Sequence, residues 1–182
     1  MKPMFSLGAL LLASCTTSSD PHSGTFVGNP SLTARIADNP VQSVLSGQLD
    51  LLESHVTDCE STATPLGPRQ LRFNGPSSAE SIDLPVGDHC GLFFVVDLFT
   101  VTFEDEGTPI TIVADDFDLS IPSTFVARDG NQAILRLGDE RWLAEVATLA
   151  PSGETRLSRG TSPLADAFFE GLFDGSTVLS FE

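Results

Sequence analysis

The chain has 182 residues, with 9 Lys+Arg against 25 Asp+Glu and a formal charge of −16. That length fits one domain, and the acidity disfavours nucleic acid or an anionic membrane surface as a partner. Hydrophobic residues at 41% and aromatic residues at 8%, with no long polar tract, supply a folded core and argue against wholesale disorder.

At the start of the chain, Met1-Lys2 gives a short positive segment and Met4 to Ala13 an apolar run. The run is too short to anchor in a bilayer by itself but has the form of a secretory h-region. Leu12-Ala13-Ser14-Cys15 follows at once, and this tetrapeptide resembles the lipobox of bacterial lipoproteins. The resemblance implies that residues 1–14 are a signal peptide removed just before Cys15. It also implies that Cys15 is diacylated on sulfur, with palmitate-type chains, and acylated on its new amino group. At about 0.8 kcal/mol per buried CH₂, such chains hold a protein in the membrane. Thr16 stands where an Asp retains many lipoproteins of diderm bacteria in the inner membrane, so the same resemblance favours the outer membrane. It covers about a tenth of the chain and is silent on the domain behind it.

Residues 15–23, from the lipid-bearing Cys15 through Thr-Thr-Ser-Ser-Asp-Pro-His-Ser, read as a flexible tether. Beyond the signal the chain keeps 8 Arg, no Lys and 25 acids, so 8 − 25 = −17. A domain of that charge is repelled by anionic lipid and stands off the membrane that holds its tether.

Residues 24–182 read as one domain of short strands. Thr25 to Val27 precedes the turn Gly28-Asn29-Pro30, and Leu32 to Ala37 precedes Asp38-Asn39-Pro40. The segment Gly24 to Pro30, set behind a lipobox tether, is similar to the opening of some uncharacterised bacterial lipoproteins, a resemblance that implies no function. Val44 to Val56 alternates in two-residue steps until Leu51-Leu52, where a bulge shifts the register. Gln70 to Phe73 ends at Asn74-Gly75-Pro76, and Ser81 to Leu84 ends at Pro85.

Leu92 to Phe103 is the strongest run, and its first half is apolar on both faces, as in a central strand covered by a layer on each side. Glu104-Asp105-Glu106-Gly107 turns the chain into Ile110 to Ile121. There Phe117, Leu119 and Ile121 alternate with Asp118 and Ser120, leaving one face solvated. Thr124 to Ala127 and Gln132 to Leu137 flank Arg128-Asp129-Gly130-Asn131, which reads as a hairpin turn. Arg141 to Ala147 reads as a further strand with Trp142, Ala144 and Val146 on one face.

One helix is expected. Ser162 caps it, Pro163 takes its first position, and Leu164, Phe168 and Leu172 recur at helical spacing, with Phe169 and Phe173 widening the stripe. It either closes one end of the sheet assembly or presents a Phe-rich face to a partner. Thr177 to Phe181 returns as a last strand. The expected fold is all-β: an antiparallel β-sandwich, or partly open barrel, with one short C-terminal helix.

With Cys15 assigned to lipid, Cys59 and Cys90 remain. The reading adopted is a structural disulfide, closing a loop of roughly 32 residues worth about 3 to 4 kcal/mol. The competing readings are a reactive thiol pair and a zinc site completed by His55 and His89.

Other chemistry has little support. Gly-x-Ser-x-Gly, a Gly-rich phosphate loop and His-Glu-x-x-His are all missing, and the only histidines are His22, His55 and His89. Asp97 interrupts an apolar run, so it needs either solvent or a basic partner. The acidic runs Glu104 to Glu106 and Asp115 to Asp118 are oxygen-rich in the way Ca²⁺ requires, but the second lacks the EF-hand Gly and Glu. Solvated acidic turns are the plainer account.

The expectation is therefore a lipid-anchored, non-enzymatic envelope protein without catalytic residues, metal or cofactor. Its domain serves structure or binding, with an envelope protein or a glycan as partner. The alternative is a secreted carbohydrate- or calcium-binding module, and an acid-catalysed hydrolase stands last; a cleft lined by Trp142 with paired carboxylates would mark the carbohydrate or hydrolase reading.

Overall fold

A computed structural model describes residues 28–37 and 41–180. The signal peptide, Cys15, the tether and the strand expected at Thr25 to Val27 lie outside the described residues. Among the described residues eleven strands form one mixed sheet, ordered β10-β7-β6-β2-β4-β5-β1-β9-β11, with β3 added beside β2 and β8 beside β6. Their ranges are β1 Ser31–Ile36, β2 Gln42–Asp58, β3 Ala63–Pro65, β4 Arg69–Asn74, β5 Ser77–Asp83 and β6 Gly87–Asp105. After these come β7 Thr108–Ile121, β8 Phe125–Ala127, β9 Gln132–Leu137, β10 Gly153–Leu157 and β11 Thr177–Ser180. Two helices, α1 Trp142–Leu149 and α2 Pro163–Gly175, cover the sheet. None of the helices among the described residues is long and apolar enough to cross a membrane.

The all-β class and the C-terminal helix agree with the sequence reading. Strand β6 is central, paired with β2 on one side and β7 on the other. Its alternate residues Phe94, Val96, Phe99, Val101 and Phe103 form the spine of the core. Along β7, Phe117, Leu119 and Ile121 point inward and Asp116, Asp118 and Ser120 face solvent, as two-residue alternation requires. The β6–β7 hairpin closes on Glu106 (φ 47°) and Gly107 (φ 81°), the double positive φ of a type I′ turn.

Strand β2 contains the expected bulge. Register shifts fall at Asp50/Leu51 and again at Leu51/Glu53, so Leu52 is skipped in the pairing with β6 and turned outward, 54% exposed. On β6 the skipped residue is Asp97, which stands in solvent. Bulging therefore resolves the conflict of a carboxylate inside an apolar run, because the extra residue leaves the buried face without disturbing its neighbours. These bulges interrupt strands of 17 and 19 residues.

Four features depart from the expected pattern. The sheet is not wholly antiparallel: β1 runs parallel to β9 and β10 parallel to β7. The Arg128 to Asn131 segment does turn, with Gly130 at φ 81° and Asn131 N–H donating to the Arg128 carbonyl at 2.9 Å. It closes no hairpin, because β8 pairs with β6 while β9 enters the sheet between β1 and β11.

Arg141 to Ala147 is the cap and first turns of α1 rather than a strand, so there are two helices among the described residues. Trp142, Leu143 and Val146 are the buried positions, one helical stripe, and Asp139 Oδ1 accepts the Trp142 N–H at 2.9 Å to start the helix. Finally, β3 and β10 are strands without an apolar pattern; both are short and mostly exposed.

Helix α2 begins as expected, with the Ser162 hydroxyl accepting the Ala165 N–H at 3.1 Å and Pro163 following it. Its Phe face is inside: Phe168 is fully buried and Phe169 is 3% exposed. The helix closes the core rather than offering aromatic rings to a partner. Phe168 meets Trp142 at 5.2 Å and Phe99 at 6.0 Å between ring centroids, and Phe169 stands edge-on to Phe117 at 5.2 Å.

Candidate functional site

Cys59 and Cys90 are joined by a disulfide with a Cα–Cα distance of 4.9 Å, inside the range a relaxed bridge accepts. The bridge ties the end of β2 to the start of β6, where Asp58 already pairs with His89. It removes both sulfurs from any zinc tetrad. His89 is buried with Nε2 at 2.9 Å from the Pro85 carbonyl, and His55 stacks on Phe93. Among the described residues no group of three or more His, Cys, Asp or Glu side chains is arranged to hold a metal ion.

The remaining sequence candidates are also placed. Trp142 is 1% exposed and its indole N–H donates to the Phe168 carbonyl at 2.9 Å, so it lines no cleft. Asp115 pairs with Arg156 at 3.5 Å, across the parallel β7–β10 ladder. Asp105 accepts from the Gln42 amide at 2.5 Å. Cys15 lies outside the described residues.

A hollow of about 940 Å³ lies between the end of β7, strand β9, the turn after it and the α2–β11 junction. Two glycines shape the junction beside it. A Cβ on Gly175 would stand 2.5 Å from the Asp139 amide nitrogen, and Gly138 holds φ +74°, which L side chains rarely adopt. The buried Ser176 hydroxyl ties these segments together: it accepts the Gly138 N–H at 3.0 Å and donates to the Leu172 carbonyl at 2.5 Å. Glycine and serine thus dock the C-terminus of α2 onto the β9–α1 turn and fix the cavity wall.

Three charged side chains line this cavity: Arg136, Asp139 and Asp174. Asp139 is engaged through Oδ1, which accepts the Arg141 and Trp142 N–H groups at 2.8 and 2.9 Å. Asp174 is exposed. The Nε of Arg136 is buried and has no hydrogen-bond partner among the described residues. A buried guanidinium nitrogen left this way is uncommon, since losing water without gaining an acceptor is costly.

A second hollow of about 410 Å³ adjoins the first at Ser120 and Pro122 and extends toward His55, Phe93 and Cys90.

Sequence reasoning passed over Arg136, Asp139 and Asp174. Within Ala133 to Leu137 the two-residue alternation does turn Arg136 away from the core. Nothing local indicates that the end of α2, some 40 residues later, covers that outer face.

No family model and no curated protein matches the chain. Among solved structures it is similar to MbnP from Methylosinus trichosporium, at 10% sequence identity and a TM-score of 0.44, over 77% of this chain and 87% of that one.

Proposed function

We propose that the chain is a lipid-anchored lipoprotein of the bacterial cell envelope, held in the outer membrane through Cys15, whose non-enzymatic β-domain has a binding role. The observation that carries the anchoring is the tetrapeptide Leu12-Ala13-Ser14-Cys15 directly behind a short apolar run. An oxidising compartment is consistent with the Cys59–Cys90 disulfide, since such bridges persist outside the cytosol. The hollow beside Arg136 supports binding of a small envelope ligand, or of an exposed segment of an envelope protein, over a purely structural role. No observation favours the carbohydrate- or calcium-binding alternative, with Trp142 inside the core and Asp115 engaged by Arg156.

Mass spectrometry of the full chain extracted from the membranes of a diderm host tests the reading. The expected N-terminal peptide begins at acylated Cys15, and Cys15→Ser shifts the protein to the soluble periplasmic fraction. An unmodified Cys15 in a soluble product overturns it.

A further inference from the structure

The sheet has a gap in its hydrogen bonding between β8 and β11. Among the described residues β8 pairs only with β6 and β11 only with β9, and no backbone hydrogen bond joins the two. One side chain spans that gap. Ser123, in the linker between β7 and β8, accepts the Val178 N–H of β11 at 3.2 Å and donates to the Val178 carbonyl at 3.3 Å. Its hydroxyl also lies 3.5 Å from the Thr177 hydroxyl. A serine hydroxyl is both donor and acceptor, so Ser123 meets the two backbone groups that a neighbouring strand would take. Because Val178 turns its backbone groups to Ser123, Thr177 and Leu179 are the residues that face β9 in the antiparallel ladder.

The two sides of this bridge are held unequally. Ser123 stands between Ile121 and Phe125, both buried, so the core fixes its position. Strand β11 lies at the edge of the sheet, and of Thr177, Val178 and Leu179 only Val178 is buried, with Leu179 41% exposed. Just before it the chain is pinned at Ser176, whose hydroxyl bonds Gly138 and Leu172. A short edge segment with one buried side chain and a fixed point at its start opens at a lower free energy than the paired strands behind it. Thr177 and Pro122 line the hollow beside Arg136 from opposite sides of the gap, so movement of β11 displaces one wall of that hollow.

We propose that β11 is a strap, hinged at Ser176 and latched by the Ser123 hydroxyl, that swings away from β9 while the rest of the sheet stays paired. The device needs neither the lipid anchor nor a bound ligand, so it stands apart from the function proposed above. The test is native-state hydrogen exchange, read residue by residue, on the full chain carrying Cys15→Ser. The reporter is the Leu179 amide, which faces β9 and is untouched by any of the substitutions. In the parent, Leu179 is expected to exchange at least about tenfold faster than the amides of the β6–β7 ladder. Ser123→Ala removes both bonds to Val178 and is expected to speed Leu179 by about a further tenfold, leaving the β6–β7 ladder unchanged. Thr124→Ala, which removes the neighbouring exposed hydroxyl, is expected to leave Leu179 as in the parent. Emission from the buried Trp142 reports whether each variant is folded, and the comparison within the parent stands without any variant. Leu179 exchanging as slowly as the β6–β7 ladder in the parent overturns the strap. A rise after Ser123→Ala that is equal at Leu179 and in the β6–β7 ladder also overturns it, because Ser123 then stabilises the whole domain. An unchanged Leu179 rate in Ser123→Ala overturns the latch.

Discussion

Two regions of the β2–β6–β7 strands are secured by different physics. At the β6 N-terminal end the disulfide joins Cys59 to Cys90, and its surroundings are thinly buried: Cys59 and all of β3 are exposed. Farther along, around Phe99, no covalent link is present among the described residues. Phe99 packs against Trp142 and Phe168, and α2 approaches α1 closely enough that the indole occupies the space where Gly171 would carry a Cβ. Where a dense aromatic cluster can be assembled, dispersion and burial hold the strands. Where a turn region offers little apolar area, a cross-link that restricts the unfolded chain takes over.

Perturbing each region separately tests this division. The largest effect is expected from Trp142→Ala, which empties a fully enclosed site and leaves the Phe168 carbonyl without its indole donor. A loss of about 3–5 kcal/mol is expected in denaturant unfolding. A loss below about 1 kcal/mol would show that the helices are not what secures that region.

Next comes the disulfide. The paired change Cys59→Ser and Cys90→Ser is expected to lower stability by about 3 to 4 kcal/mol, while the near-ultraviolet signal of Trp142 stays native, because the bridge acts through the unfolded state and lies in the other region. Two titratable thiols in unreduced, denatured protein carrying Cys15→Ser would remove the disulfide altogether.

The smallest of the three is Gly171→Ala. In an ordinary helix interior this exchange stabilises by roughly 0.5 to 1 kcal/mol. Here the added methyl meets the indole, so a net loss of about 1 to 3 kcal/mol is expected by thermal unfolding. A gain in stability would mean that α1 and α2 pack loosely.

Some of this organisation was legible in the sequence because it is written in local periods and turn chemistry. The alternation of Phe117, Leu119 and Ile121, the doubled Leu51-Leu52 that marks the bulge, and Ser162-Pro163 at the start of α2 each need only a few adjacent residues. The same local rules failed at Arg141 to Ala147, where a short run with Trp142, Ala144 and Val146 fits a strand period and a helix period alike. Asp139 was the available signal for a helix, since it can accept the Trp142 N–H, but the preceding Gly138 made the segment read as a plain turn. Strands β3 and β10 carried no pattern because each lies mostly in solvent and follows from a neighbour's free hydrogen-bonding edge rather than from its own side chains.

By itself, then, the sequence determined the all-β class, the strand that forms the centre of the core, the capped C-terminal helix and the pair of cysteines left to join each other. Hydrophobic alternation and capping are properties of the chain within one or two turns, and they act before distant segments meet. Only the tertiary structure decided the parallel placement of β9 beside β1 and the inward rotation of Trp142, Phe168 and Phe169. It alone also docked the end of α2 over Arg136. Those choices depend on which surfaces remain uncovered once the sheet has formed. The Arg136 cavity arises there, between segments that no local rule connects.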